Sequence, residues 1–145
     1  MTNLRVLPET KPRYEIKVDL DERAFLFPSG KQVVQLLIVA EGRTIRLDGV
    51  FAFNQTRTAP AIVALDVDDA WEFGRRLVEA VHSARTQLAV TETARIEINV
   101  IANGYRVQFG EMDRPIELFL STGCIWRVCH GILRAADAIS PIESN

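Results

Sequence analysis

Twice along this chain a run of alternating side chains gives way to a helical period, and that switch restricts the fold more than any other feature. Alternation at period two marks a strand with one buried face, and a repeat near 3.6 marks a helix lying on a core. The second instance is the cleaner. Ile96, Ile98 and Val100 alternate with Glu97 and Asn99, Asn103-Gly104 supplies a strong hairpin signal, and Val107 and Phe109 return on the same face. A two-residue loop at Asn103-Gly104 predicts Val100 opposite Val107 and Ile98 opposite Phe109. A third strand carries Ile116, Leu118 and Leu120. Ser121 or Thr122 then caps a helix whose face is Ile125, Val128, Ile132, Leu133, Ala136 and Ile139, and Pro141 ends it.

The first instance runs in the same order. Gln32–Ala40 reads as a strand that turns at Glu41-Gly42 into Arg43–Asp48, and Ala61–Leu65 is a third, short strand. Asp66 is placed to cap a helix predicted over 67–89, with Asp68 and Asp69 at the positive end of its dipole. Its apolar face would hold Val67, Ala70, Trp71, Gly74, Leu77, Val78, Val81 and Leu88, and Glu72 and Arg76 are spaced for an i,i+4 pair. Upstream, Tyr14, Ile16, Val18 and Leu20 alternate with Arg13, Glu15, Lys17 and Asp19, which predicts a further strand. Ala24–Phe27 is a short apolar piece stopped by Pro28-Ser29-Gly30.

The two halves align. A shift of 126 − 71 = 55 puts Trp71 on Trp126, Asp66 on Ser121 and Leu77 on Ile132, and a shift of 104 − 42 = 62 puts Gly42 on Gly104. The fold expected is therefore α+β and two-layered: a largely antiparallel sheet with two helices on one face, built by internal duplication of a hairpin–strand–helix (βββα) unit about a pseudo-twofold. The repeats would span 32–90 and 94–140 within a single domain over 13–140, with 1–12 a flexible arm and 141–145 a tail. At 145 residues, 48% hydrophobic and 25% charged, the chain can bury a proper core.

Composition also excludes function classes. The net charge is 17 − 19 = −2, a poor footprint for a nucleic-acid binder. Cys124 and Cys129 lie five apart in one helical pattern, so they point to different sides and form no secreted disulfide framework. No apolar run is long enough to cross a bilayer, and Met1 to Pro12 lacks the apolar stretch of a signal peptide, so a cytoplasmic location is expected.

Candidate chemistry is sparse. Cys124, Cys129 and His130 form the sharpest cluster, because a thiolate beside a histidine can act as a nucleophile. The helical spacing makes the two cysteines diverge, however, and packing explains them. His82 is expected on the solvent side of the first helix. Asp66, Asp68 and Asp69 are explained by capping. Pro28-Ser29-Gly30-Lys31 lacks the first glycine, the hydroxyl residue and the helix of a phosphate loop. Trp71 and Trp126 are expected as core anchors between helix and sheet.

Two surfaces remain. Tyr105 and Arg106 lie at the tip of the second hairpin. Val33, Leu37 and Val39 make the predicted strand over 32–40 apolar on its second side as well, which calls for a cover. Three covers fit: the N-terminal strand folding across, a second copy in an isologous homodimer, or a foreign protein. The leading function is accordingly a non-enzymatic protein–protein interaction module, a small accessory, adaptor or inhibitor protein acting on a protein partner or on itself, without cofactor or metal. The alternative is a small-molecule-binding protein or enzyme with a pocket between sheet and helices that uses Trp126, Cys124 or His130. A weaker one is a nucleic-acid accessory factor using Arg43, Arg46 and Arg106.

Overall fold

The computed structural model describes residues 13–52, 61–91, 94–110 and 116–139. The predicted arm over 1–12 and tail over 141–145 lie outside them. Strands β1 (Arg13–Asp19), β2 (Phe25–Phe27), β3 (Lys31–Glu41), β4 (Thr44–Phe51) and β5 (Ala61–Asp66) lead into helix α1 (Val67–Ser83). Strands β6 (Gln87–Val90), β7 (Arg95–Ile101), β8 (Gly104–Phe109) and β9 (Ile116–Ser121) lead into helix α2 (Thr122–Ile139). Every pairing is antiparallel. One wing of the sheet is ordered β1-β3-β4-β5 and the other β6-β7-β8-β9. The short β2 clips them together by pairing with the start of β3 on one side and with β9 on the other.

The two helices cover one face, as the α+β reading requires. Helix α1 lies on β4, β5, β6 and β7, and α2 on β1, β3, β8 and β9. The alternating residues deliver the core between them: Leu36, Ile38, Ile45 and Leu47 from one wing, Ile96, Ile98, Val107 and Phe109 from the other, all buried. The helices cross where Gly74 leaves room for Leu133, and the Cys129 thiol donates to the Gly74 carbonyl at 3.5 Å. Gly74 and Cys129 are the pair that a shift of 55 superposes.

Several expectations need correction. Among the described residues each wing has four strands, not three, and β2 stands between the wings. The helix predicted over 67–89 ends at Ser83: Ala84 takes a left-handed conformation (φ 54°) and its N–H closes on Ala80 O. The chain then forms β6, and Leu88 is an exposed strand residue, not part of a helix face. The wings also meet through unlike strands, β3 and β9 on either side of β2, so no two-fold relates the edges that join them.

The second hairpin is shifted by two residues from the predicted register. Val100 opposes Tyr105, Ile98 opposes Val107 and Ile96 opposes Phe109. Ala102 and Asn103 form the turn, with Asn103 in the left-handed region (φ 67°), and Gly104 already belongs to β8. An even shift leaves every side chain on its predicted face. The helix signals hold: Asp66 accepts from the N–H of Asp68 at 3.0 Å, and Arg76 Nε meets Glu72 Oε1 at 2.8 Å.

Candidate interaction surface

The expected apolar patch on β3 is largely closed by its own neighbours. A register shift between Val33 and Gln35 inserts Val34 as a bulge and reverses the faces, so Val33 is turned into the core and is fully buried. Val33 thus lies in the core and not on the outer side of β3 with Leu37 and Val39. Val39 is only 2% exposed. It stands opposite Arg46, whose guanidinium binds Asp48 through both carboxylate oxygens at 2.8 and 3.0 Å, and Asp48 stands opposite Leu37. The stem of Arg46 and this ion pair roof the strand from the solvent side. Leu37 stays half-buried. The N-terminal strand does not fold across this face: β1 lies beside β3, edge to edge.

The hairpin-tip pair also separates. Tyr105 is buried on the core face, opposite Leu120, and only Arg106 is exposed, 3.7 Å from Glu117. Arg43 reaches Asp66 and Asp68 at the start of α1, which ties the first hairpin turn to the helix. With Arg46 held by Asp48 and Arg106 beside Glu117, all three arginines considered for nucleic acid have internal partners.

The thiols are set apart from solvent. Cys129 is buried, and burial pushes its thiol up to about 11, where it stays protonated at neutral pH. Cys124 is buried beside Asp21 and Ser121 and does not line the groove that holds Trp126 and His130. Among the described residues no three His, Cys, Asp or Glu side chains gather as a metal site requires.

Asp21 closes the β1–β2 turn onto the start of α2. Its carboxylate accepts from the Ser121 hydroxyl and from the N–H of Arg23. The Ser121 bond is the main force holding the Asp21 carboxyl below its ordinary 3.8; burial opposes it, and the Arg23 N–H and the Cys124 thiol assist. A carboxyl depressed in the folded state contributes stability that is present above its unfolded value and is lost as pH falls through the folded one. Asp21→Asn is thus expected to cost roughly 1 kcal/mol at neutral pH, and progressively less at an acid pH well below 3.8, where the folded carboxyl takes up its proton. Urea midpoints at the two pH values check this; an equal loss at both would assign the effect to shape alone.

An open groove with an exposed aromatic ring lies where β1 meets α2. Trp126 is not the core anchor that the sequence pattern suggests: it is 45% exposed, and its ring meets His82 edge-on at 5.7 Å. It lies one helical step outside the buried arc of Ile125, Val128, Cys129 and Ile132. Trp126, His130 and Arg134 follow one another at i,i+4 spacing down the outer side of α2. Between this stripe and Ile16–Asp19 of β1 runs a groove of about 420 Å³. Helix and strand approach closely there because residue 131 is glycine: a Cβ on Gly131 would stand 2.7 Å from Ile38 and 3.1 Å from Val18. Arg127 donates to the Asp19 carbonyl at 3.1 Å and Arg134 to the Tyr14 hydroxyl at 3.0 Å, so α2 runs antiparallel to β1. Of the predicted pocket residues, the structure therefore brings Trp126 and His130 to one groove and leaves Cys124 out of it. The part played by β1 is absent from the sequence reading; its alternation is visible there, but its free edge is not.

No family model matches the chain, and no curated protein matches it. Among solved structures, one is described with SsgB of Streptomyces coelicolor, whose mutations correlate to longitudinal cell division during sporulation. It is 11% identical at a TM-score of 0.46, covering 92% of this chain and 93% of that one. An SsgA-like sporulation-specific cell division protein from Thermobifida fusca is 9% identical at a TM-score of 0.43, covering 93% and 87%. Likeness at this level carries no argument about function.

Proposed function

We propose that this chain is a non-enzymatic protein-interaction domain whose contact surface is the side formed by β1 and the outer stripe of α2. The exposure of Trp126 carries the reading. A tryptophan left 45% open on the outer side of α2 keeps a large apolar ring in water, and tryptophan and arginine are among the residues most enriched at the energetic centres of protein contacts. Arg127 and Arg134 flank it, and Ile16 and Val18 give the groove an apolar floor. The buried, protonated thiol of Cys129 and the placing of Cys124 outside the groove that His130 lines favour this reading over the enzymatic one.

A photo-crosslinking phenylalanine analogue in place of Trp126 tests the reading in the source cell. The expected result on illumination is a discrete protein adduct at position 126 and none from the same analogue at Val90, which is also exposed. Folded protein that forms no adduct at 126 would remove this surface as the contact.

A further inference from the structure

Resting on that reading, we infer that the occupant of the β1–α2 surface is a second copy of this chain, joined by antiparallel pairing of β1 with its own mate about Ile16. Strand β1 pairs with β3 alone, and among the described residues nothing pairs with its other edge. The N–H of Leu20 donates to Val34 O at 3.0 Å, which sets the phase of the β1–β3 ladder. Hydrogen-bonded and non-bonded pairs alternate along an antiparallel ladder. The even-numbered residues of β1 therefore turn their backbone groups toward β3, and Arg13, Glu15, Lys17 and Asp19 turn theirs toward the free edge. The bond from Arg127 to the outward carbonyl of Asp19 agrees with this phase. Neither proline nor bulge interrupts the strand, two of the means of blocking an open edge, and its charges alternate in sign.

The sequence of the strand is self-complementary. Reversed about Ile16, Arg13 comes opposite Asp19 and Glu15 opposite Lys17, each twice by symmetry. Tyr14 comes opposite Val18, and Ile16 meets its own copy on the core side. Opposite charges directly across a ladder stabilise it and like charges oppose it. Other registers fail. Sliding by two residues one way sets Glu15 against itself and Arg13 against Lys17; sliding the other way sets Lys17 against itself and Glu15 against Asp19. A slip of one residue turns the charged side chains onto the apolar face. In the single chain Arg13 and Glu15 lie 3.6 Å apart on the exposed face, and among the described residues Lys17 has no ion-pair partner. A two-fold through Ile16 also lays the two α2 helices antiparallel beside each other. That brings Trp126 toward Arg134 of the partner subunit and covers the ring that one chain leaves open.

The test is sedimentation of the full chain over the micromolar range, with circular dichroism as the control for folding. The wild type is expected to be a dimer of the 16.3 kDa chain. Glu15→Lys brings two lysines face to face at both symmetry-related crossings, and Lys17→Glu brings two glutamates face to face at the same places. Each is expected to weaken association by about tenfold or more. An equal mixture of the two restores one crossing of opposite sign on each side of the two-fold by pairing unlike chains, and is expected to form heterodimers. The double variant E15K/K17E is expected to dimerise like the wild type. A monomeric wild type would overturn the inference, as would single variants that associate unchanged or a double variant that does not recover. A monomeric wild type that still gives a photo-adduct with another protein at position 126 removes the second copy and leaves the interaction domain standing. Loss of every adduct removes both.

Discussion

Phe73→Ala is expected to cost about 3–5 kcal/mol, and Trp126→Ala less than about 1 kcal/mol. Phe73 is 1% exposed and its ring meets Phe109 of β8 edge-on at 5.4 Å, so it is the largest side chain fully buried between α1 and the second wing. Truncation loses the transfer energy of the ring and leaves a cavity that the sheet below cannot close, because β8 is held by β7 and β9 on both sides. Trp126 loses a half-solvated ring and one edge contact with His82. Urea midpoints at constant slope measure both. A cost below about 1 kcal/mol for Phe73→Ala would show that α1 does not rest on the second wing through this ring. A cost above about 3 kcal/mol for Trp126→Ala would make that tryptophan a structural anchor and remove the observation on which the interaction surface rests.

This ordering reverses what the two aligned tryptophans suggest, and the reason is readable in the sequence. In α1 the buried residues Ala70, Phe73, Gly74 and Leu77 define the core arc, and in α2 Ile125, Val128, Cys129 and Ile132 do. Trp71 and Trp126 each follow the first residue of the arc by one position, about 100° around the helix. Helical spacing alone places both rings at the flank, and one is half-buried and the other open. The phase of the period decides burial here, and the size of the apolar side chain does not.

Other differences have local causes of a different kind. The end of α1 is hidden because Ala84, not glycine, takes the left-handed cap position, while Leu88 keeps step with Leu77 at eleven residues, close to three turns. The bulge at Val34 lies in a run of apolar and amide side chains, where no residue type marks the extra position. The two-residue slip of the second hairpin follows from taking Asn103-Gly104 as the turn, although the turn needs only one left-handed residue, and Asn103 supplies it. The assignment of faces is robust to all of these in the second hairpin. The alternation that puts Ile96, Ile98, Val107 and Phe109 inward is indifferent to an even slip. The surface around β1 is beyond such reading. It depends on tertiary pairing: β1 lies on β3, and β2 joins β3 to β9 through residues as far apart as 25 and 119.

Gly104 shows what the hairpin signal stands for. Its backbone does not need a glycine for conformation, since the left-handed residue of the turn is Asn103. It needs one for space. A Cβ there would stand 2.5 Å from the carbonyl oxygen of Leu120 and 2.7 and 3.0 Å from Cζ and Cε2 of Phe119, whose ring lies over the glycine from the neighbouring strand. A carbonyl within a paired ladder cannot withdraw without breaking its own hydrogen bonds, and the ring would have to leave its place on the sheet. Gly104→Ala is therefore expected to cost about 2–3 kcal/mol. Gly74→Ala is the control. There the added carbon would stand 2.4 Å from Cδ2 and 2.9 Å from Cγ of Leu133, a half-buried side chain that can change rotamer, and alanine restores roughly 0.5–1 kcal/mol of helix preference. Its net cost is expected below about 1 kcal/mol. Denaturant midpoints of the two variants decide the matter: if Gly104→Ala is no more costly than Gly74→Ala, the β8–β9 ladder yields as easily as a leucine side chain, and close approach is not the reason for the glycine.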